Sequence, residues 1–163
     1  MSVGTVDIAT AINSAWDEAD LDGKFTDLGG SSPSLNDQDA GPEAVQPYCV
    51  LDSMTSEVVG RMTGGSASLN RHLRNIGVIF QVHATLIDDD CRTAKQIAAY
   101  LVEEIMKVFG GHPTESPSAT LTLAGTGNHV VTQYVRDFGI RTGDNNYQWT
   151  LEYNLLVDVP VAI

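Results

Sequence analysis

The longest regular pattern in the chain is an alternation of apolar and polar residues near its C-terminus. Within residues 147–159, every odd position is aromatic or aliphatic, and five of the six even positions are polar. A period of two indicates a β-strand with one buried face. Because most strands run to only about five or six residues, a segment of this length needs long partner strands. We therefore expect a sheet to form the core.

Other segments with strand character supply those partners. Residues 74–86 alternate in the same way, and residues 130–140 precede a polar turn at residues 142–146. The turn residues predict a long C-terminal hairpin between residues 130–140 and 147–159. Shorter strands are predicted at residues 47–51, 58–59 and 119–123, with a turn at residues 52–56.

Apolar residues that recur every three to four positions predict two helices. The first covers about residues 6–19, and Trp16 attaches it to the core. The second covers residues 91–109, with Asp90 as its N-cap and with Gly110 and Gly111 after its end. Strands grouped between helices indicate an α+β fold, in which an antiparallel or mixed β-sheet carries both helices on one face.

The chain length indicates one domain. Its 163 residues are enough to bury a core of their own. We expect a single α+β domain over residues 1–163, interrupted by a long irregular loop at about residues 20–47, where glycine and proline break any periodic pattern. A loop of this length in a compact domain is usually functional or mobile.

The composition excludes several classes of protein. The chain has 21 acidic and 9 basic residues and a net charge of −12, which disfavours a nucleic-acid-binding surface. No apolar run approaches the ~20 residues that cross a membrane. The N-terminus lacks the features of a secretory signal, so we expect folding in a cytosol. In that reducing compartment, Cys49 and Cys91 are expected to be free thiols.

Three acidic or glycine-rich segments suggest ion or phosphate binding, and each has a simpler interpretation. Residues 18–23 resemble the start of a calcium loop, but the twelfth position is Gly29 instead of glutamate, and no following helix is predicted. The acids at residues 88–90 suit a helix N-terminus better than a Mg²⁺ site. The glycines at residues 60–65 and 125–127 lack the context of a phosphate loop and indicate turns.

No catalytic motif is found in the sequence. The four histidines have no pair at the i, i+4 spacing of a helical zinc site. No Gly-x-Ser-x-Gly segment is present, and nothing in the sequence singles out a Cys–His pair. These observations leave no residue to assign to catalysis, so we expect a protein that is not an enzyme.

Charge is distributed unevenly along the chain. Residues 17–43 are acidic, whereas residues 60–75 carry three arginines and no acid. In a cyclic oligomer, opposite charges on two parts of one chain can select a head-to-tail contact. The alternative, that both segments are solvated loops, stays open. The candidate interface residues are Asp20, Asp22, Asp37 and Asp39 on the acidic side, and Arg61, Gly64, Gly65, Arg71, His72 and Arg74 on the basic side.

Several short segments carry a resemblance to a known family. They are Ala15-Trp16-Asp17, Leu21-Asp22-Gly23-Lys24-Phe25, Pro47-Tyr48-Cys49-Val50-Leu51 and Ile87-Asp88-Asp89-Asp90-Cys91-Arg92-Thr93-Ala94, together with the long C-terminal hairpin. On these segments the chain resembles the tail terminator and tail-completion proteins of long-tailed bacteriophages. The resemblance covers nearly the whole chain, although the long loop at residues 28–43 departs from the family pattern.

The resemblance implies a structural role in the virion. It implies a subunit that forms a homohexameric ring on the tail tube protein, joins the head-neck connector protein on its other side, and can stay monomeric in solution. It implies no catalytic site, cofactor or metal. It further implies that DNA passes through the ring without being specifically bound, that the protein does not enter a membrane, and that it assembles in the host cytoplasm at the head-proximal end of the tail. The loop around Gly64 and Gly65 is similar to the hairpin through which family members contact neighbours or the tube.

Two alternative functions remain at this point. One is another phage neck or tail-tube structural protein, because these proteins also have small α+β folds. The other is a small-ligand-binding module or an enzyme, in which Tyr147, Trp149 and Tyr153 line a cleft. Strict alternation of aromatic residues on one face of a strand is more often typical of a core.

Overall fold

The computed structural model describes residues 5–37, 44–63, 70–88, 90–115, 119–122 and 129–161. In chain order, the elements are α1 (Thr5–Glu18), α2 (Leu21–Thr26), β1 (Leu35–Asn36), β2 (Tyr48–Thr63), β3 (Asn70–Thr85), α3 (Ala94–Phe109), β4 (Ala119–Thr122), β5 (His129–Gly143) and β6 (Asn146–Val161). This is the predicted α+β class. None of the described helices is long and apolar enough to cross a membrane.

The strands form one mixed sheet in the order β1-β2-β3-β6-β5-β4. All neighbours are antiparallel except β1 and β2, which are parallel. At the centre, β3 and β6 pair along their whole length, from Asn70 opposite Val161 to Thr85 opposite Asn146. The turn after Gly143 joins β5 to β6, so the predicted C-terminal hairpin is confirmed.

The predicted alternation accounts for the core. On β6, Leu151, Tyr153, Leu155 and Val157 are buried, and on β3 the buried residues are Ile76, Val78, Phe80, Val82 and Ala84. The Phe80 ring packs against Trp16 of α1, Phe109 of α3 and Tyr153 of β6, with ring centroids 5.2–6.1 Å apart. These contacts place the two predicted helices on one face of the sheet, where each buried large side chain contributes about 1.5–3 kcal/mol.

The predicted division of residues 47–59 into two strands was wrong, because β2 is continuous. The predicted turn at residues 52–56 lies inside it. Register shifts between Leu51 and Ser53, and between Val58 and Gly60, mark irregularities of the bulge type. A bulge accommodates an extra residue without ending the strand. It also interrupts the alternation of side chains, which is why the sequence pattern suggested a break.

A short third helix, α2, lies in the region predicted to be an irregular loop. Its two buried residues, Leu21 and Phe25, are one helical turn apart. Asp20 has a left-handed backbone (φ 53°), which separates α2 from α1. Two apolar residues are too few to establish a helical period in a sequence, and the flanking glycines conceal the pattern further. Strand β1 follows in the same region, so only part of residues 20–47 is irregular.

Helix α3 begins at Ala94, and the prediction that Asp90 caps it was wrong. Thr93 is the N-cap: its Oγ1 accepts a hydrogen bond from the Gln96 amide at 3.2 Å, and the Gln96 side chain accepts one from the Thr93 amide at 2.9 Å. This reciprocal pair is a capping box. Asp90 instead accepts hydrogen bonds from the Arg92 amide and guanidinium.

Candidate subunit interface

The basic residues singled out by the sequence lie at one end of the sheet. Arg61 of β2 pairs with His72 of β3, and Arg71 pairs with Met62 of β2. Arg74 of β3 is partly exposed. In the sheet it pairs with Val58 of β2 on one side and with Val157 of β6 on the other. From the buried Ile76, β3 runs to Asn70 over about 20 Å. The candidate glycines, Gly64 and Gly65, lie outside the described residues.

The acidic candidates are at the other end of β2. Asp37 follows β1, which pairs with Cys49 and Val50 near the start of β2, and it is exposed. Asp20 is exposed between α1 and α2, whereas Asp39 lies outside the described residues. Along β2, Val50 is separated from Arg61 by roughly 35 Å, at the rise per residue of a strand. The acidic and basic ends of this strand are therefore too far apart to form ion pairs within one copy.

Asp22 differs from the other acidic candidates because it is held inside the subunit. Its carboxylate accepts hydrogen bonds from the backbone amide and the hydroxyl of Ser34, and Ser32 donates a weaker one at 3.4 Å. Partial burial acts to raise the pKa of Asp22, but the hydrogen bonds from Ser34, with smaller effects of Trp16 and Ser32, lower the pKa below its usual value. Asp22 thus attaches α2 to the segment before β1.

Further acidic residues lie at the junction of α1 and α2. The sequence pattern placed them in the acidic segment of residues 17–43 but did not single them out as interface candidates. Asp17 and Glu18 lie in the last turn of α1, which has no basic residue. The helix dipole disfavours negative charge at this end. Within the described ranges, no ion pair involves Asp17, Glu18, Asp20, Asp27 or Asp37. A cationic group from another molecule would lower the electrostatic energy of these acidic residues.

Two sheet edges are a further feature, and the sequence interpretation missed them. β1 pairs with β2 only at Cys49 and Val50, and β4 pairs with β5 only at residues 129–132. Among the residues that the structure describes, no strand lies outside β2 after residue 50 or outside β5 at residues 135–143. The exposed fractions on this part of β5 are 44% for Val135, 44% for Phe138 and 53% for Ile140.

One signal for these edges is the lack of lysine and proline, although the register shifts on both strands are themselves a form of edge protection. Proteins often protect exposed strand edges with lysine or proline. Residues 51–63 and 135–143 contain neither. This signal becomes informative only after the strand order is known, because a central strand needs no such protection.

An ion pair joins β5 and β6 on the face of the sheet opposite the helices. The Arg136 Nε atom of β5 lies 2.8 Å from a carboxylate oxygen of Glu152 on β6, and its guanidinium lies over the Phe138 ring at 5.5 Å. Glu152 and Arg136 are direct neighbours in the ladder. This side of β5 therefore combines paired charges with exposed apolar side chains.

The aromatic residues of β6 do not line one cleft together. Tyr153 is buried, and its hydroxyl donates a 2.6 Å hydrogen bond to the Gly110 carbonyl. Trp149 donates its indole N–H to Asp137 at 2.7 Å, and the Tyr134 hydroxyl donates to the same carboxylate. Burial, followed by this hydrogen bond, raises the pKa of Tyr134 to about 12.

Tyr147 and Tyr153 line different cavities: Tyr153 borders one of about 150 Å³ beside Val135 and Glu152, and Tyr147 lines a larger one. This cavity has a volume of about 360 Å³ and lies between the start of α3 and the β5–β6 turn. Lys95 and Arg141 are among its lining residues, but Asp144 is there too, and the Arg141 guanidinium donates to the carbonyls of Gly143 and Asp144. These contacts fix Arg141 against its own turn.

The segments that suggested ion binding have other partners. Across the described parts of the chain, no group of three or more His, Cys, Asp or Glu side chains is placed to hold a metal ion. In the calcium-like segment of residues 18–29, α2 lies within the twelve positions and strand β1 is the next element after them, while Asp22 bonds to Ser34. Arg92 hydrogen-bonds Asp90 and lowers the pKa of that carboxyl to about 2.

Both cysteines are free thiols. Cys49 is buried and Cys91 is exposed, and burial raises the pKa of the Cys49 thiol. A buried neutral thiol such as Cys49 packs in the core as a small apolar side chain.

Comparison with other proteins adds no family to these observations. Neither the protein-family models nor the curated proteins include a match to this chain.

Proposed function

We propose that this protein is a phage tail terminator or tail-completion protein, which forms a ring on the end of the tail tube and provides the joint to the head-neck connector. The proposal combines the resemblance of the sequence with the observed α+β fold and its long C-terminal hairpin. The tail tube protein, the connector and further copies of the same chain are the proposed partners.

The separation of charge along β2 is the observation that carries the proposal. The acids at the α1–α2 junction and after β1 lie at one end of this strand, and the arginines lie at the other. Two different patches on one chain produce a head-to-tail contact, and head-to-tail contacts close into rings when the rotation between copies permits. The acids that form no ion pair within the described part of the chain are then neutralised by the arginines of the next copy.

The net charge supports passage of DNA without binding. At −12, the subunit repels the phosphate backbone on average. A ring through which DNA moves during injection needs this property, since each phosphate contact with lysine or arginine would retard the strand.

Single charge reversals test the proposed contact. The variants Arg71→Glu and Arg74→Glu should lower the mass of the assembled species in light scattering, or shift its formation to about tenfold higher protein concentration. Lys95→Glu is the matched control, because Lys95 is exposed on α3 beside the β5–β6 turn and belongs to neither patch. An assembly that is equally stable in all three variants would contradict the charge-pairing hypothesis.

The alternative structural role is another neck or tail-tube protein. Tail tubes carry many copies of the tube protein along their length, whereas a terminator occupies one end. A gold-labelled antibody on isolated tails therefore separates the two: label at the head-proximal end supports termination, and label along the tube supports a tube protein.

The ligand-binding alternative has less support. Of the aromatic residues that suggested a cleft, Tyr153 is in the core and Trp149 bonds to Asp137. Only Tyr147 lines the 360 Å³ cavity, and the neighbouring Arg141 is held by its own turn.

A further inference from the structure

We propose that the cavity of about 360 Å³ between the start of α3 and the β5–β6 turn is a docking site for a peptide segment of a partner protein. The segment presents an aromatic or large aliphatic side chain next to a carboxylate. The proposed ring does not use this cavity, so the inference does not depend on the ring. The cavity also differs from the aromatic cleft considered above, because only one of its lining residues is aromatic.

Three separate parts of the chain form the apolar part of the cavity wall. Leu86 follows β3, Ala94 begins α3, and Tyr147 lies near the start of β6. Leu86 is 48% exposed, so its side chain offers apolar surface that a partner could cover. Removal of such surface from water stabilises a complex by about 25 cal/mol per Å². The cavity therefore suits an apolar side chain as an anchor.

The Tyr147 ring is held in place by its neighbours. It packs against the Trp149 ring with the centroids 5.7 Å apart, and the Trp149 indole is fixed by its hydrogen bond to Asp137. The Tyr147 ring also lies over Gly139 of β5, where a Cβ atom would overlap it. A glycine at this position thus lets the ring lie across β5. The aromatic part of the wall is formed before any partner binds.

The β5–β6 turn, which forms another part of the wall, is fixed as well. The Leu86 amide donates a hydrogen bond of 2.9 Å to the carbonyl of Asn145. The Arg141 guanidinium donates to the two preceding carbonyls, those of Gly143 and Asp144. A site whose walls are already ordered loses less conformational entropy when a partner binds.

Two cationic side chains line this cavity, although the chain as a whole has a net charge of −12. Lys95 and Arg141 are both exposed. Across the described ranges, Lys95 forms no ion pair, and it lies in the first turn of α3, where the helix dipole disfavours a cation. A carboxylate from a partner would complement this local positive charge, and this complementarity favours an acidic segment as the occupant.

Arg141 can contact a carboxylate without leaving its turn. Its two hydrogen bonds to the turn use the Nε and Nη2 atoms. A guanidinium has five N–H donors, so the Nη1 donors remain for a partner. Asp144 lies 3.8 Å from the Nη2 atom, but its side chain is fully exposed, and an exposed pair of this length contributes little. Asp144 nevertheless repels an incoming carboxylate.

The shape of the cavity favours an anchor side chain over a free small molecule. Seven of its nine lining residues are exposed. Sites for small molecules usually bury about 70–90% of the ligand surface, which a cavity with such an open rim does not provide. A side chain of a peptide can fill it while the flanking peptide residues contact the rim.

NMR titration with a blocked dipeptide tests the proposal. The ¹⁵N-labelled full chain is titrated with acetyl-Phe-Glu-amide, which combines the anchor and the carboxylate. We expect chemical-shift changes confined to amides around the cavity, with those of Leu86, Lys95 and Tyr147 among them. For so small a probe the expected Kd is on the order of 1 mM.

Three further probes identify what the cavity recognises. Acetyl-Phe-Gln-amide lacks the carboxylate and should bind about threefold more weakly. Acetyl-Ala-Glu-amide lacks the anchor and should bind about tenfold more weakly. 3-Phenylpropionate has both groups but no peptide backbone, and it should also bind more weakly. The proposal is overturned if any of the three binds as tightly as acetyl-Phe-Glu-amide; for 3-phenylpropionate, that result would assign the cavity to a small molecule.

Charge variants of the protein give effects of opposite sign. Lys95→Gln should weaken the binding of acetyl-Phe-Glu-amide by about threefold and leave that of acetyl-Phe-Gln-amide unchanged, whereas Asp144→Asn should strengthen the binding of acetyl-Phe-Glu-amide. Lys107→Gln is the matched control, because it makes the same charge change about 18 Å further along α3. The spectrum of each variant also shows whether that variant is folded.

Other results of the titration would overturn the docking site. These are equal weakening by Lys95→Gln and Lys107→Gln, weaker binding in Asp144→Asn, shift changes centred on residues outside the cavity, or no shift changes at about 10 mM acetyl-Phe-Glu-amide. None of these results bears on the ring, which is tested separately by charge reversal at Arg71 and Arg74.

Discussion

The indole Nε1 of Trp16 donates a hydrogen bond of 3.0 Å to the hydroxyl oxygen of Ser34, and both residues are almost completely buried. Ser34 in turn donates from its hydroxyl and its backbone amide to Asp22. One polar network inside the core therefore connects α1, α2 and the segment before β1. Buried polar groups of this kind need partners, so the network fixes the position of all three parts.

Replacing Trp16 with phenylalanine should lower the free energy of unfolding by about 1–3 kcal/mol, because the acceptor on Ser34 loses its donor and the smaller ring leaves space. Urea denaturation of the single variants and the double variant with Ser34→Ala measures this effect. We expect the double variant to lose less than the sum of the two single losses, since both remove the same bond. Fully additive losses would show that the two residues act independently.

The lowered pKa of Asp22 predicts a pH-dependent contribution to stability. Because its pKa is lower in the folded protein than in the unfolded chain, the carboxylate contributes its full stabilisation above the unfolded pKa of about 3.9. The contribution is lost as the pH falls through the folded pKa.

Asp22→Asn should therefore be less stable than the parent protein at pH 7, and the difference between the two should shrink as the pH is lowered below about 4. Urea unfolding at a series of pH values measures this difference. A difference that is constant over the whole range would contradict a role for the ionised carboxylate.

Two substitutions at the start of α3 distinguish the observed N-cap, Thr93, from the predicted one, Asp90. Thr93→Ala removes the side-chain acceptor for the Gln96 amide and should lower the free energy of unfolding by about 1 kcal/mol. Asp90→Asn should have a smaller effect, because Asp90 bonds to Arg92 outside the helix. Thermal unfolding compares the two variants, and a larger loss for Asp90→Asn would assign the cap to Asp90.

The sequence predicted the fold best where a single period persists over many residues. The alternation along β6 and the apolar stripe of α3 each involve enough positions to outweigh local exceptions. The sequence failed for α2, whose helical period rests on Leu21 and Phe25 alone. It also failed for β2, where the ladder with β3 continues through residues that on their own favour a turn.

The candidate interface was predictable only in part. The charge difference between the two segments can be counted in the sequence, but the distance between Asp37 and Arg61 depends on the pairing of β1 with the start of β2. The internal role of Asp22 depends on Ser34, twelve positions away. The open edges of β2 and β5 follow from strand order and from the shortness of β1 and β4, and no local pattern encodes either.

Electron microscopy of tails assembled without this protein is the most direct test of its proposed role as a terminator. If the protein forms the terminal ring, deletion of its gene in the phage or prophage that encodes it should give tubes of irregular length that do not attach to heads. Expression of the intact chain from a plasmid should restore both length and attachment. Tubes of normal length that still join to heads in the deletion strain would contradict the proposal.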